Sequence, residues 1–180
     1  MKIVTMSEIT PIKDKQTVTS DWQSVRPQIT GVVIKRLPPI EDERGEICEV
    51  YRPSWGIHEA PLVYVYQITI RPGKVKVWGV HQKKDDRIFL SRGVLRLALF
   101  DNRSESPTFK LLNVFTISER NRALIVIPLG VYHAIQNIGK TEAVFISMPT
   151  EAYNHEDPDK YRLPLKNDLI PFSFESELGW

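Results

Sequence analysis

Residues 73–93 read GKVKVWGVHQKKDDRIFLSRG, and this stretch decides the fold. Two apolar runs, near 74–80 and 87–92, flank a polar bend, with Gly73 and Gly93 at the outer corners. Side chains alternate along a strand, so positions 79 and 81 face the same side. A second stretch, residues 128–137, reads PLGVYHAIQN and has the same design, with Pro128 and Gly130 setting its corner. Two such hairpins facing each other bring His81, Asp86 and His133 towards one cavity.

Outward from these hairpins the same texture continues. Runs rich in Val, Ile, Leu, Phe and Tyr predict strands near 31–36, 46–51, 62–70, 94–100, 109–115, 122–127, 132–137 and 142–148. Turn chemistry separates them, as in Arg71-Pro72-Gly73, Asp101-Asn102-Arg103-Ser104 and Asn137-Ile138-Gly139-Lys140. Thr116 to Arg120 reads as one short helical turn. Many short strands without long helices between them predict an all-β sandwich or barrel. The expected organisation is an N-terminal arm over 1–28, a barrel over 29–150, and a polar, proline-bearing extension over 151–180. The extension's aromatics (Tyr153, Tyr161, Phe172, Phe174 and Trp180) predict that it packs onto the barrel.

Composition narrows the function classes. With 180 residues, 42% hydrophobic and 26% charged, the chain suits one soluble domain. A net charge of +2, from 24 basic and 22 acidic residues, gives no footprint for nucleic acid. It leaves room for an anionic small molecule, since one or two placed arginines hold a phosphate. The single cysteine, Cys48, allows no intrachain disulfide and reads as a buried or half-buried strand thiol. No run approaches the length of a membrane span, and MKIVTMSEITPIKDKQ has no signal-peptide core, so a cytoplasmic protein is expected.

The two hairpins resemble the paired motifs of the cupin family, G-x5-H-x-H-x(3,4)-E-x6-G and G-x5-P-x-G-x2-H-x3-N. The second fits from its proline onward. The first fits in every spacing, with Gly79 in place of the first histidine and Asp86 in place of the glutamate. The resemblance implies a double-stranded β-helix, the jelly-roll barrel. Two chemistries then compete. His81, Asp86 and His133 could hold a divalent metal, or His81 could act as a general base with no metal.

Three further segments resemble the dTDP-4-dehydrorhamnose 3,5-epimerases. Glu41 to Glu49 (EDERGEICE) looks like their D-x-R-G-x-F-x-E signature, Asp101 to Thr108 (DNRSESPT) like their D-x-R-x-x-S-P-T turn, and Ile127 to His133 (IPLGVYH) like their I-P-x-G-x-A-H segment. Members of that family also carry glycine at the position of Gly79. The resemblance implies a homodimeric cupin that moves protons at carbons beside a ketone, without a cofactor. It implies His81 as base, and Arg44 and Glu49 as contacts to the nucleotide, often made across the dimer. Where the family has an enolate-stabilising lysine, this chain has Asp86 or, one residue on, Arg87. The family tyrosine falls at Ser147, with Tyr132 and Tyr153 as substitutes. The phosphate-binding arginine falls at Trp78, with Lys74 and Lys76 close by. The carboxylate partner of the base falls at Asp168, after Asn167, with Asp157 and Asp159 as other candidates. The expected site is therefore His81, Arg87, Asp168 and Tyr132 for catalysis, and Arg44, Glu49, Trp78, Lys76, His133 and Ser147 for binding. The expected activity is epimerisation of a dTDP-4-keto-6-deoxyhexose in deoxysugar or surface polysaccharide synthesis. A metal-dependent cupin enzyme and a non-catalytic sugar-binding cupin are the alternatives.

Overall fold

In the computed structural model, which describes residues 12–21 and 24–174, the apolar runs form twelve strands. They are β1 Val33–Arg36, β2 Ile40–Asp42, β3 Gly45–Ile47, β4 Tyr66–Ile70, β5 Val75–Val80 and β6 Asp86–Arg92, then β7 Val94–Asp101, β8 Leu112–Ser118, β9 Ala123–Ile127, β10 Val131–Asn137, β11 Ala143–Ser147 and β12 Tyr161–Arg162. Ten of them form two five-stranded sheets, β1-β9-β6-β11-β4 and β12-β5-β10-β7-β8. Every pairing is antiparallel. Consecutive strands such as β5 and β6 fall in different sheets, so the chain crosses repeatedly between two walls. This is the cupin jelly-roll barrel.

Strand parity builds the core. Leu95, Leu97 and Leu99 of β7 meet Ile88 and Leu90 of β6, Ile125 and Ile127 of β9 and Phe145 of β11 between the walls, all buried. Each such side chain contributes about 1.5–3 kcal/mol on burial. The opposite parity faces outward and is covered too. Trp78, Ala98 and Phe100 lie under Leu163, Phe172 and Phe174 of the C-terminal segment. Phe89 and Leu124 lie under Cys48, Tyr51 and Trp55. Gly93 closes the tight β6–β7 turn at φ 97°, where a Cβ would stand 2.9 Å from Ala143. Only glycine satisfies both the angle and the space.

Several expected boundaries move for physical reasons. The strand expected over 46–51 ends at Ile47, and the chain after it crosses the outer face of the first sheet as coil, with a 3-10 turn at Pro53–Trp55. Its apolar residues are there to pack, not to pair. The strand expected at 109–115 is displaced to Leu112–Ser118, because Lys110 takes a left-handed φ of 65° and its N–H donates to the Asp101 carbonyl at 2.7 Å. The short helical turn begins only at Glu119, capped by the Ser118 side chain. The short β2 and β12 were not expected. Trp180 and residues 1–11, 22 and 23 of the N-terminal arm lie outside the described residues. No helix among the described residues is long and apolar enough to cross a membrane.

Candidate active site

Both sheets contribute to a cavity at one end of the barrel. Ile68, Ile88, Ile127, Ile135 and Phe145 make its apolar part, and Tyr66, Lys76, His81, Asp86, His133, Ser147, Lys160 and Arg162 its polar part. A few convergent polar groups on an apolar lining are what a small-molecule site needs.

His81 follows β5, and His133 lies on β10 directly opposite Gly79. Their rings stack with centroids 5.5 Å apart. A Cβ at position 79 would meet His133 Nε2 at 3.1 Å, so the glycine leaves the room that His133 occupies. Asp86, at the start of β6 on the facing sheet, reaches both rings. Its Oδ2 lies 3.3 Å from His81 Nε2 and 3.6 Å from His133 Nε2.

Hydrogen bonding fixes the His81 tautomer. The backbone carbonyl of Asp159 contacts His81 Nδ1. A carbonyl only accepts, so Nδ1 carries the hydrogen and Nε2 of the neutral ring offers its lone pair to the cavity. An imidazolium formed by taking a second proton would keep both N–H groups bonded, one to Asp159 and one to Asp86. Asp159 is itself held by its carboxylate, which accepts from the N–H groups of Gln82 and Lys83, both at 2.9 Å. Burial opposes ionisation of Asp159, but these two donors outweigh it and hold the carboxyl below its ordinary range.

The neighbouring charges are set by burial. Burial pushes His133 down to about 4 against the pull of Asp86, so this ring is neutral at physiological pH. Burial works against the Asp86 anion, yet the imidazoles of His81 and His133 beside it keep its carboxyl below the usual range. Lys76 and Lys160 are lowered, first by burial and then by the Arg162 charge. The cations thus crowd one wall, an arrangement that an anionic ligand relieves.

Two backbone features aim these cations. The β5–β10 register pairs His133 with Gly79 but Ile135 with Lys76, so β5 carries one extra residue there. This bulge turns Lys76 as well as Gly79 inward. On the edge, Arg162 of β12 pairs with Gly79, which puts Arg162, and by parity Lys160, on the cavity face.

His81, Lys76, His133 and Ser147 thus meet at the cavity, and Asp86 joins them. Six expected site residues do not, Arg44 and Glu49 among them. Arg87 is wholly buried and faces outward from β6, one residue out of phase with Asp86. Its guanidinium donates to the carbonyls of Met148, Ala60, Pro61 and Pro149 and to the Tyr51 hydroxyl. Saturated in this way, it has no donor for a substrate oxygen. Trp78 has the opposite parity to Gly79 and packs on Phe172 and Phe174, with ring centroids 6.3 and 5.7 Å away. Tyr132 has the opposite parity to His133 and packs with Trp78 and Phe100 in the outer cluster. Asp168 is exposed in the C-terminal segment, beside a surface pocket formed by residues 165–174. Of the three expected carboxylate partners, Asp159 is the one that reaches His81, through its backbone carbonyl and, at 3.8 Å, its Oδ2.

Arg44 and Glu49 lie elsewhere too. Arg44 is at the tip of the β2–β3 hairpin, 81% exposed and paired with Asp42. Glu49 pairs with Arg52. The DNRSESPT segment has a structural task. Asp101 accepts from Arg103, Ser106 and Thr108, and Arg103 ties this loop to the Thr30 carbonyl at 2.7 Å. Tyr66, Lys160 and Arg162 were missed by sequence reasoning. Lys160 and Arg162 stand in a polar tail without period. Tyr66 could have been found from the alternation of its strand, which puts it in phase with Ile68.

The model of the dTDP-4-dehydrorhamnose 3,5-epimerase family matches residues 26–168. A probable low-salt glycan biosynthesis epimerase, Agl13 of Haloferax volcanii, is 33% identical over 153 residues, covering 84% of this chain and 98% of the relative. The spore coat polysaccharide biosynthesis protein SpsL of Bacillus subtilis is 32% identical over 149 residues, covering 83% and 98%. Among solved structures, a double mutant of ChmJ, a 3'-monoepimerase from Streptomyces bikiniensis in complex with dTDP, superposes with a TM-score of 0.73. It is 20% identical, with 86% of this chain and 81% of ChmJ covered.

Proposed function

Because the chain belongs to the dTDP-4-dehydrorhamnose 3,5-epimerase family, we propose that it epimerises a dTDP-4-keto-6-deoxyhexose in glycan or polysaccharide synthesis. The observation that carries this reading is His81, whose Nδ1 is held by the Asp159 carbonyl and whose Nε2 faces the cavity beside Asp86. His81 takes a proton from a carbon beside the ketone, and the electron pair passes to the ketone oxygen as an enolate. The positive charge facing that oxygen comes from Lys76, Lys160 and Arg162, in place of Arg87. The same cations attract the diphosphate. His133, neutral and stacked on His81, shapes the wall, and no cofactor takes part. We place the reaction in the cytoplasm and in a homodimer, whose second copy brings Arg44 and Glu49 to the nucleotide.

Deuterium wash-in tests the reading. With dTDP-4-keto-6-deoxyglucose in heavy water, NMR should show loss of the C3 or C5 proton signal. His81→Asn should slow that exchange by about 100-fold or more. Wild-type protein that exchanges neither proton at high concentration would sink the proposal for this substrate.

One observation favours a second reading. His81, Asp86 and His133 offer ligand atoms that all lie within 4.8 Å of one another. Ligands about 2.1 Å from an ion at tetrahedral angles stand about 3.4 Å apart, which the two Asp86 contacts match. The Asp159 carbonyl on His81 Nδ1 is also the kind of outer partner that a metal-bound histidine keeps. A bound divalent ion would polarise a substrate oxygen. Elemental analysis that finds stoichiometric metal, lost in His133→Ala, would move the assignment to this reading.

A further inference from the structure

Epimerisation has a demand that a single base does not meet. The proton must leave from one face of the carbon and return to the other. The cavity has two walls from different sheets. His81, Lys76, His133 and Arg162 stand on or beside the β12-β5-β10 wall. The facing wall, from β4, β11, β6 and β9, presents Ile68, Ile88, Ile127 and Phe145, with three polar side chains: Asp86, Ser147 and Tyr66. Asp86 is committed to the two histidines. Ser147 is almost wholly buried and lies directly across from Tyr66 in the β4–β11 ladder. Burial raises the Tyr66 phenol above its ordinary range, and the Ser147 hydroxyl beside it opposes that rise. A serine that donates to the phenol oxygen leaves the phenol proton free to point into the cavity.

We propose that Tyr66 is the proton donor of the second step, delivering to the face of the substrate opposite His81, with Ser147 as its positioning residue. The inference rests on the epimerase reading above. In the first step the C–H bond breaks, the proton goes to His81 Nε2 and the electron pair to the ketone oxygen. In the second, the enolate carbon takes the proton of the Tyr66 hydroxyl and the C=O bond re-forms, leaving a tyrosinate held by Ser147. Tyr66 is 36% exposed, so water at the cavity mouth can return its proton. The proton on His81 leaves to solvent separately, which resets the site. The location of the donor is specific to this chain, because β11 offers only a serine at the facing position and β4 supplies the phenol beside it.

The test separates exchange from inversion. Wild type, Tyr66→Phe and Ser147→Ala are incubated with dTDP-4-keto-6-deoxyglucose in heavy water. Deuterium at C3 and C5 is followed by NMR, and the configuration of the product is read after borohydride reduction. Tyr66→Phe removes one oxygen from a part-exposed ring, and an unchanged melting temperature verifies the fold. The expected result is inversion slowed by about 100-fold or more, with exchange within about threefold of wild type. His81 then returns deuterium to the face it came from. Ser147→Ala should raise the ratio of exchange to inversion without abolishing either. Inversion by Tyr66→Phe at near the wild-type rate would overturn the proposal. So would loss of exchange and inversion together, which would mark Tyr66 as a binding or structural residue. A wild type with no exchange would sink the epimerase reading, and this inference with it.

Discussion

Asp86 and Arg87 are neighbours in the chain and work on opposite sides of a sheet. The first reaches two histidines in the cavity, and the second clamps the outer segment that carries Tyr51, Ala60 and Pro61. A charge buried without a carboxylate survives only if hydrogen bonds replace its water, and Arg87 is supplied by four carbonyls and a hydroxyl. Arg87→Met keeps the side-chain bulk but leaves those acceptors unsatisfied. It should cost about 3–5 kcal/mol of stability, as removal of one partner from a buried charged network does, and urea unfolding measures the loss. A catalytic role would instead show as lost turnover at unchanged stability. The parity that separates these two residues also explains the misplaced Trp78. Alternation from Gly79 correctly puts His81 inside, but one extra residue in β5 resets the phase between Gly79 and Lys76. Alternation already turns Trp78 out, but nothing in VKVW marks a bulge, so the sequence alone cannot say that Lys76 faces in.

The strands of the two hairpins were legible because each is a run of branched and aromatic residues ended by glycine, proline or a charged bend. β12 was not, since two residues in a polar tail, Tyr161 and Arg162, pair only because Val80 and Gly79 offer them an edge. Loops that hold the barrel together are harder still. Asp101 ends β7 and accepts hydrogen bonds from the side chains of Arg103, Ser106 and Thr108, which closes the loop before β8. Burial works against its charge, but these donors outweigh it and hold the carboxyl far below its ordinary value. A depressed carboxyl stabilises the fold above the unfolded value of about 4, and the contribution fades as pH falls towards the folded one. Asp101→Asn should therefore be about 2 kcal/mol less stable than wild type near pH 7, from weakened charge-assisted bonds. That gap should close as the pH is lowered below about 4. Urea midpoints of both proteins across this range check the sign. A gap that persists in acid would mean that the loop is held by shape and not by the charge.

A barrel whose two walls are both covered still carries an element that no described residue covers. The β2–β3 hairpin pairs Ile40 with Ile47, and these side chains are 79% and 74% exposed. Arg122 fastens the base of the hairpin through Glu46 at 2.5 Å, so it is held as an arm. A two-stranded hairpin is marginal by itself and gains stability by adding to a larger surface, and exposed apolar pairs are what an interface core uses. The resemblance that marks Arg44 and Glu49 as nucleotide contacts cannot be met within one chain, because both sit on or beside this arm and neither lines the cavity. A second copy resolves both facts, since a symmetric exchange of arms would bury the isoleucines and bring the two charged residues towards the other cavity. Ile40→Glu with Ile47→Glu should then halve the mass seen by light scattering, leave the circular dichroism of the barrel intact, and raise KM for the nucleotide sugar more than it lowers kcat. Arg44→Ala should reproduce the rise in KM with the mass unchanged. A protein that remains at its original mass with both isoleucines replaced would show that the arm serves another surface. If the wild type already runs as a monomer and turns over, Arg44 is not needed in trans, and Lys76, Lys160 and Arg162 alone would hold the diphosphate.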